Sequence, residues 1–317
     1  MLATCYKGMK DMENKLSCIK SIRVTTGFDC NCKCHYCSQR NNKISDRLGG
    51  VSTQIQTLYV LLKQPCVIKE GDLNIELEGG EPLLHPDIIM DTVKLCDQLS
   101  TDSLQVRYTL VSNCQLLNKS KARELIKWMK DRGSNFSIAV SFDHQYKNPR
   151  ILNNDTYRFL RECGAMFIYA VYVIESKKHI NLAKRNITFL NEHGIKPLVY
   201  WNFFAYGELN DLETRTEYVK LLRETKNRNK QGIGFSGEIK DCAWIGISPK
   251  GKIYPCYEAS FGIADLAKGK EFERSHCMNC DIKSFCKQCV VRKALYGDKL
   301  CGLMRAQYAL ENCKEVT

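Results

Sequence analysis

Four cysteines crowd into eight residues, Cys30-Asn-Cys-Lys-Cys34-His-Tyr-Cys37, directly after an apolar, β-branched stretch, Ser21–Thr26. Read as Cys30, Cys34 and Cys37, they have the spacing C-x3-C-x2-C. Cys32 lies inside the loop and opens a second register. The first is preferred because it yields the three-residue gap and places Tyr36 before the last ligand. Three thiolates on a four-iron, four-sulfur cluster leave one iron without a protein ligand, and an open metal position is what coordination of a substrate or cofactor requires. On spacing alone a zinc knot also fits. A second group, Gly79-Gly80-Glu81-Pro82, ends the next apolar stretch. Its glycines let a backbone approach a ligand closely, and its glutamate suits an ammonium group. By itself the tetrapeptide is also a plain turn.

A third constellation lies near the C-terminus. Cys242 is followed by Gly251 and Cys256, then by Cys277-x2-Cys280-x5-Cys286-x2-Cys289 and by Cys301. Two C-x2-C pairs five residues apart also suit a zinc ribbon. The chain has 317 residues and 18 cysteines, too long for the usual disulfide scaffold, and its first residues show no apolar signal-peptide core. Reduced, metal-binding thiols and a cytoplasmic location are therefore expected. No apolar run approaches the eighteen residues of a membrane span, so no membrane partner is expected. The net charge of +12 leaves nucleic acid as a partner class, though basic residues spread over solvated helix faces give the same total.

These groups need a scaffold, and the pattern supplies one. Strands are expected at Ser21–Thr26, Leu73–Glu78, Val106–Ser112, Phe136–Ser141, Phe167–Ile174 and Lys196–Phe204, all rich in β-branched or aromatic residues. Amphipathic stretches lie between them, one opening at Pro86 and others ending at Gly133, Gly164 and Gly194. Six strand–helix units imply a parallel sheet with crossover helices, and fall short of a closed eight-unit barrel. An open sheet or a partial barrel both fit, and both bind ligands at the carboxyl ends of the strands. The expected division is an N-terminal extension at 1–20, an α/β core at 21–231 and a small cysteine-rich domain at 232–317 that needs metal to fold.

The C-x3-C-x2-C loop after strand one, with GGEP after strand two, resembles the radical S-adenosylmethionine (SAM) superfamily over about Ser21–Lys226. The resemblance implies a partial (β/α)6 barrel and a [4Fe-4S] cluster on Cys30, Cys34 and Cys37. It also implies that SAM is chelated by the open iron, with its ammonium held at Gly79, Gly80, Glu81 and Pro82. Ser112 and Asn113, ending strand three, and Ser141 and Asp143, ending strand four, stand where family members bind ribose and carboxylate. Each of these is also a plain cap or turn residue. The C-terminal cysteines resemble the SPASM extension, which carries two auxiliary [4Fe-4S] clusters. By analogy Cys277, Cys280, Cys286 and Cys301 hold the outer one, and Cys242, Cys256 and Cys289 the inner one. Two gaps depart from the family spacing: two residues precede Cys289 where three are usual, and the gap from Cys242 to Gly251 is short. Cys5, Cys18, Cys32, Cys66, Cys96, Cys114, Cys163 and Cys313 receive no role.

The implied activity is reductive cleavage of SAM to a 5′-deoxyadenosyl radical, which abstracts hydrogen from a peptide or protein side chain. A flavodoxin- or ferredoxin-type reductant is the implied electron donor. Radical modification of a nucleotide, nucleic acid or other small molecule is the alternative. Formylglycine formation is disfavoured, because Tyr257 follows Cys256 where sulfatase-maturing relatives have an aspartate. A leader-binding domain is not expected ahead of strand one.

Overall fold

The computed structural model describes residues 19–34, 51–132, 135–141, 154–162, 168–174, 180–181, 183–184, 196–201, 212–224, 244–251 and 253–254. The chain divides into two compact units, Met1–Ala170 with Cys242–Ala264, and Val171–Asp241 with Asp265–Thr317.

The first unit is a parallel α/β layer. Its strands are β1 (Ser21–Thr25), β2 (Gly71–Glu78), β3 (Leu104–Ser112) and β4 (Asn135–Ser141), and later in the chain β7 (Trp244–Ile247) and β8 (Ile253–Tyr254). They lie in the order β4-β3-β2-β1-β7-β8. All pairs from β4 to β7 are parallel, and β8 alone runs antiparallel, to β7. The helices α1 (Val51–Leu62), α2 (Pro86–Asp97), α3 (Ser120–Asp131) and α4 (Asn154–Glu162) follow β1 to β4 in turn. The alternation anticipated from the sequence is thus present.

In the second unit, β6 (Lys196–Trp201) is followed by α5 (Leu212–Glu224), on which Glu217 takes ion pairs from Lys184 and Lys220 at 2.8 and 3.0 Å. The strand β5 (Ile168–Ile174) runs across the division of the chain. The helix expected to end at Gly194 lies mostly outside the described residues.

Strand alternation sorts the sheet of the first unit into two faces. Ile22 and Val24, Leu73, Ile75 and Leu77, Tyr108 and Leu110, Phe136 and Ile138, and Ile245 and Ile247 form a buried apolar face. Leu58 and Leu61 of α1, Ile89 and Val93 of α2, and Ile126 and Met129 of α3 are buried as well. Tyr108 marks the helix side, because its hydroxyl donates to the Asp97 carboxylate and the Val93 carbonyl of α2 at 2.6 and 3.3 Å. Each large apolar side chain removed from water contributes about 1.5–3 kcal/mol, so this face supplies the main stabilisation.

The opposite face is polar. Arg23 registers with Glu76, Thr25 with Glu78, Glu76 with Thr109 and Thr109 with Ser137. Arg23 donates to Glu76 Oε2 through Nε and Nη2 at 2.8 and 2.7 Å, and its Nη1 lies 2.9 Å from Glu78 Oε1. These side chains are only 10–16% exposed. Most strands of parallel sheets are apolar on both faces. Here one face carries a largely buried ionic and hydroxyl layer.

β7, like β8, is an element without a strand signal. Its four residues, Trp-Ile-Gly-Ile, lie in a segment of weak periodicity, and they pair with β1 on the side away from β2. Gln54 of α1 stitches this join: its Nε2 donates to the Thr25 carbonyl at 2.7 Å and to the Ser248 carbonyl at 3.1 Å. Two carboxyl strand ends are thereby tied to one helix.

Candidate functional site

The carboxyl ends of β1, β2 and β3 meet at one rim, and their loops are hydrogen-bonded to one another. The β1–β2 ladder runs on beyond the strands. Thr26 N donates to the Glu78 carbonyl at 2.7 Å, Gly80 N to Gly27 O at 2.8 Å and Glu81 N to Asp29 O at 2.8 Å. The cysteine loop and the GGEP loop therefore run backbone against backbone. Gly79 adopts φ +150°, and a Cβ there would stand 2.2 Å from Gly27 O. A Cβ on Gly80 would stand 2.1 Å from Asp29 O. The paired glycines make room for the cysteine loop itself. Beside it, the His85 ring lies against Gly27, with Nε2 3.9 Å from Asp29 Oδ2 and no hydrogen bond among the described residues.

Glu81 is 1% exposed and joins this pair of loops to β3. Its Oε1 accepts from Ser112 Oγ at 2.6 Å and from Leu83 N at 3.1 Å, and its Oε2 accepts from Asn113 N at 2.8 Å. Ser112 Oγ in turn accepts from Cys114 N at 2.9 Å. Cys114 has φ +57°, a left-handed conformation unusual for a residue other than glycine. That turn carries the chain from β3 into the short 3-10 helix Gln115–Asn118, and burial pushes the Cys114 thiol up.

On the far side of the rim Asn113 and Gln115 face the cysteines. Asn113 Nδ2 donates to Asn31 Oδ1 at 2.8 Å, and lies 3.4 Å from Cys32 Sγ and 3.9 Å from Cys30 Sγ. Gln115 Oε1 accepts from Asn31 Nδ2 at 3.3 Å and from Cys32 Sγ at 3.4 Å. The Cys32 side chain holds the Cys30 thiol down at about 7, against the opposing effect of partial burial, and the Cys32 backbone N–H 3.3 Å from Cys30 Sγ adds to it. A thiol with that tendency, exposed at a strand end with Cys34 beside it in sequence, is a good soft ligand. The donor chemistry fits an iron–sulfur cluster. Among the described residues no group of three or more His, Cys, Asp or Glu side chains is assembled. The third candidate, Cys37, lies outside the described residues.

Of the residues singled out in the sequence, the fold brings Cys30, Cys34, Gly79, Gly80, Glu81, Pro82, Ser112 and Asn113 to one rim. Ser141 ends β4. Asp143 lies outside the described residues, as do Cys242, Cys256, Cys277, Cys280, Cys286, Cys289 and Cys301. Sequence reasoning gave no role to Asn31, which lies inside the cysteine motif, and missed Gln115 and Gln54, which carry no motif. It also missed the layer of Arg23, Glu76 and Glu78, whose signal was the charged residue at every second position.

No family model matches the chain. It is 27% identical over 211 residues to a probable GTP 3′,8-cyclase of Methanococcus aeolicus, a stretch covering 64% of this chain and 57% of that protein. The chain thus matches a little over half the length of that relative. It is 26% identical over 219 residues to the 7-carboxy-7-deazaguanine synthase of Clostridium acetobutylicum, covering 64% of this chain and 86% of the relative. The fold is shared with Streptococcus suis SuiB bound to S-adenosylmethionine, at a TM-score of 0.60 and 16% identity, over 94% of this chain and 79% of SuiB. SuiB bound to its precursor peptide SuiA matches at 0.55 and 17% identity, over 92% and 76%.

In its motifs and in its fold the chain is similar to radical SAM enzymes.

The parallel α/β architecture expected from the sequence is shared with those enzymes. At the rim of β1, β2 and β3 the described residues of the two motifs, Cys30 and Cys34 with Gly79 to Pro82, come together. Among the described residues, no helix is long and apolar enough to cross a membrane.

Proposed function

We propose that this chain is a SPASM-type radical SAM enzyme that modifies a peptide or protein side chain, by cross-linking or oxidation, in the maturation of that substrate. The observation that carries the reading is the hydrogen-bonded junction of the cysteine loop with the GGEP loop, in a fold shared over most of the chain with a protein solved with a precursor peptide. In this reading Cys30, Cys34 and Cys37 hold a [4Fe-4S] cluster. Gly79, Gly80, Glu81 and Pro82 form the floor of the SAM site, and Ser112, Asn113, Ser141 and Asp143 stand around it. When bound, cluster and SAM supply a 5′-deoxyadenosyl radical for hydrogen abstraction. The protein's part is to hold the two loops in register, to shield the rim and to orient the substrate. Cys277, Cys280, Cys286 and Cys301, and Cys242, Cys256 and Cys289, hold two auxiliary clusters. A flavodoxin- or ferredoxin-type protein is the electron donor.

A second reading has its own support. Both relatives above are named for GTP or a deazaguanine, and the chain carries a net charge of +12. In that reading the substrate is a nucleotide, a nucleic acid or another small molecule.

One experiment separates them. The protein is reconstituted anaerobically with iron and sulfide, then supplied with SAM and dithionite, and candidate peptides and nucleosides are followed by mass spectrometry. SAM-dependent loss of hydrogen from a peptide supports the first reading. A modified nucleoside supports the second. No 5′-deoxyadenosine with any substrate would overturn both.

A further inference from the structure

We propose that Asn113 and Gln115, in the loop after β3, are positioning residues for the cysteine loop: they hold Cys32 as a non-ligating thiol and raise the reduction potential of the cluster carried by Cys30, Cys34 and Cys37. The inference rests on the cluster reading of this site.

The four-cysteine loop allows two registers by spacing, and the geometry separates them. Cys32 Sγ lies between two side-chain amides of another loop, 3.4 Å from Asn113 Nδ2 and 3.4 Å from Gln115 Oε1. Its sulfur is held closely by both amides of the β3 loop, whereas Cys30 Sγ is exposed, stands farther from Asn113 Nδ2 at 3.9 Å and meets the Cys32 backbone N–H at 3.3 Å. An iron ligand must offer a sulfur lone pair to the metal, and Cys30 is placed to do so.

The amide orientations are set by their other contacts rather than chosen freely. Asn113 Oδ1 accepts the backbone N–H of Gln115 at 3.0 Å, so Nδ2 is the atom turned toward the sulfurs. The Asn113 backbone N–H is itself held by Glu81 at 2.8 Å. Gln115 Oε1 collects the Asn31 amide and the Cys32 thiol. The donor near Cys30 is thus fixed to three strand ends at once. N–H donors to cluster sulfurs stabilise the more negative, reduced state, which raises the potential. A donor held in place costs little further ordering when the cluster accepts an electron.

The test is anaerobic reconstitution of the full chain and of Cys32→Ala, Asn113→Asp, Gln115→Ala and Cys30→Ala. Iron per chain is counted, and an EPR-monitored redox titration follows the signal that Cys30→Ala lacks. Cys32→Ala is expected to keep wild-type iron. Asn113→Asp keeps the acceptor for Gln115 N but removes the donor. At a fixed potential its ratio of reduced to oxidised cluster should fall at least threefold, where tenfold corresponds to about 59 mV for one electron. Gln115→Ala, at an exposed position, should move the same way by a smaller factor. Loss of iron in Cys32→Ala to the level of Cys30→Ala overturns the proposal, because Cys32 is then a ligand. So does an unchanged midpoint in both Asn113→Asp and Gln115→Ala. Full iron in Cys30→Ala instead removes the cluster reading itself, a separate failure.

Discussion

Glu81 concentrates the chemistry of a single residue. A carboxylate buried to 1% exposure is costly unless its oxygens are paired, and here a hydroxyl and two backbone N–H groups from two loops pair them. Glu81→Gln turns one acceptor into a donor facing the Ser112 hydroxyl or the Asn113 N–H. Hydrogen bonds to charged groups contribute about 1.5–3 kcal/mol, so that much stability should be lost in urea unfolding of the apoprotein. An unchanged midpoint would show that the carboxylate is not needed for the fold. The Cys30 thiol gives a pH prediction. A thiol lowered to about 7 forms thiolate at lower pH than an ordinary cysteine near about 8.5. Iodoacetamide labelling of Cys30 in the apoprotein, followed by peptide mapping from pH 5 to 9, should therefore have its midpoint near pH 7. A midpoint above pH 8 contradicts the arrangement around Cys32.

The elements show why these residues meet. Parallel strands in register place their carboxyl ends at one level, and the continued ladder from Thr26 to Glu81 carries that register into the loops. Gly80→Ala tests the ladder. Its Cβ meets backbone atoms of Phe28 and Asp29 that cannot rotate away. Overpacking of this kind costs about 1–3 kcal/mol and more where the obstacle is backbone. The variant should lose stability and cluster iron together, whereas wild-type iron uptake would show that the loops are separable. Arg23→Met tests the polar face, because it leaves Glu76 and Glu78, both largely buried, without their cation. Breaking such a group by removing one partner costs about 3–5 kcal/mol. A denaturation midpoint within error of wild type would mean that water screens the two carboxylates.

For the whole molecule, the proposed division of labour is that SAM cleavage belongs to the rim of the α/β layer and product formation also needs the C-terminal cysteines. A Cys277→Ala, Cys280→Ala variant that stays folded by circular dichroism should still release 5′-deoxyadenosine with dithionite but fail to complete turnover. Full product formation would remove those cysteines from the reaction. Much of this protein was legible in its residues. The strands β1–β6 follow from alternating β-branched stretches, and the rim residues from motifs at strand ends, because hydrophobic period and motif spacing are local properties of the chain. β7 was not, because four residues without periodicity become a strand only when β1 offers an edge and Gln54 a tie, and both lie about two hundred residues away in sequence. Nor was the direction of Asn113 or the crowding that requires Gly80. Sequence determined which groups could do chemistry and which strand each follows. Only the tertiary structure decided which of them face one another, because hydrogen bonds between loops depend on strand register and backbone approach, which no single segment encodes.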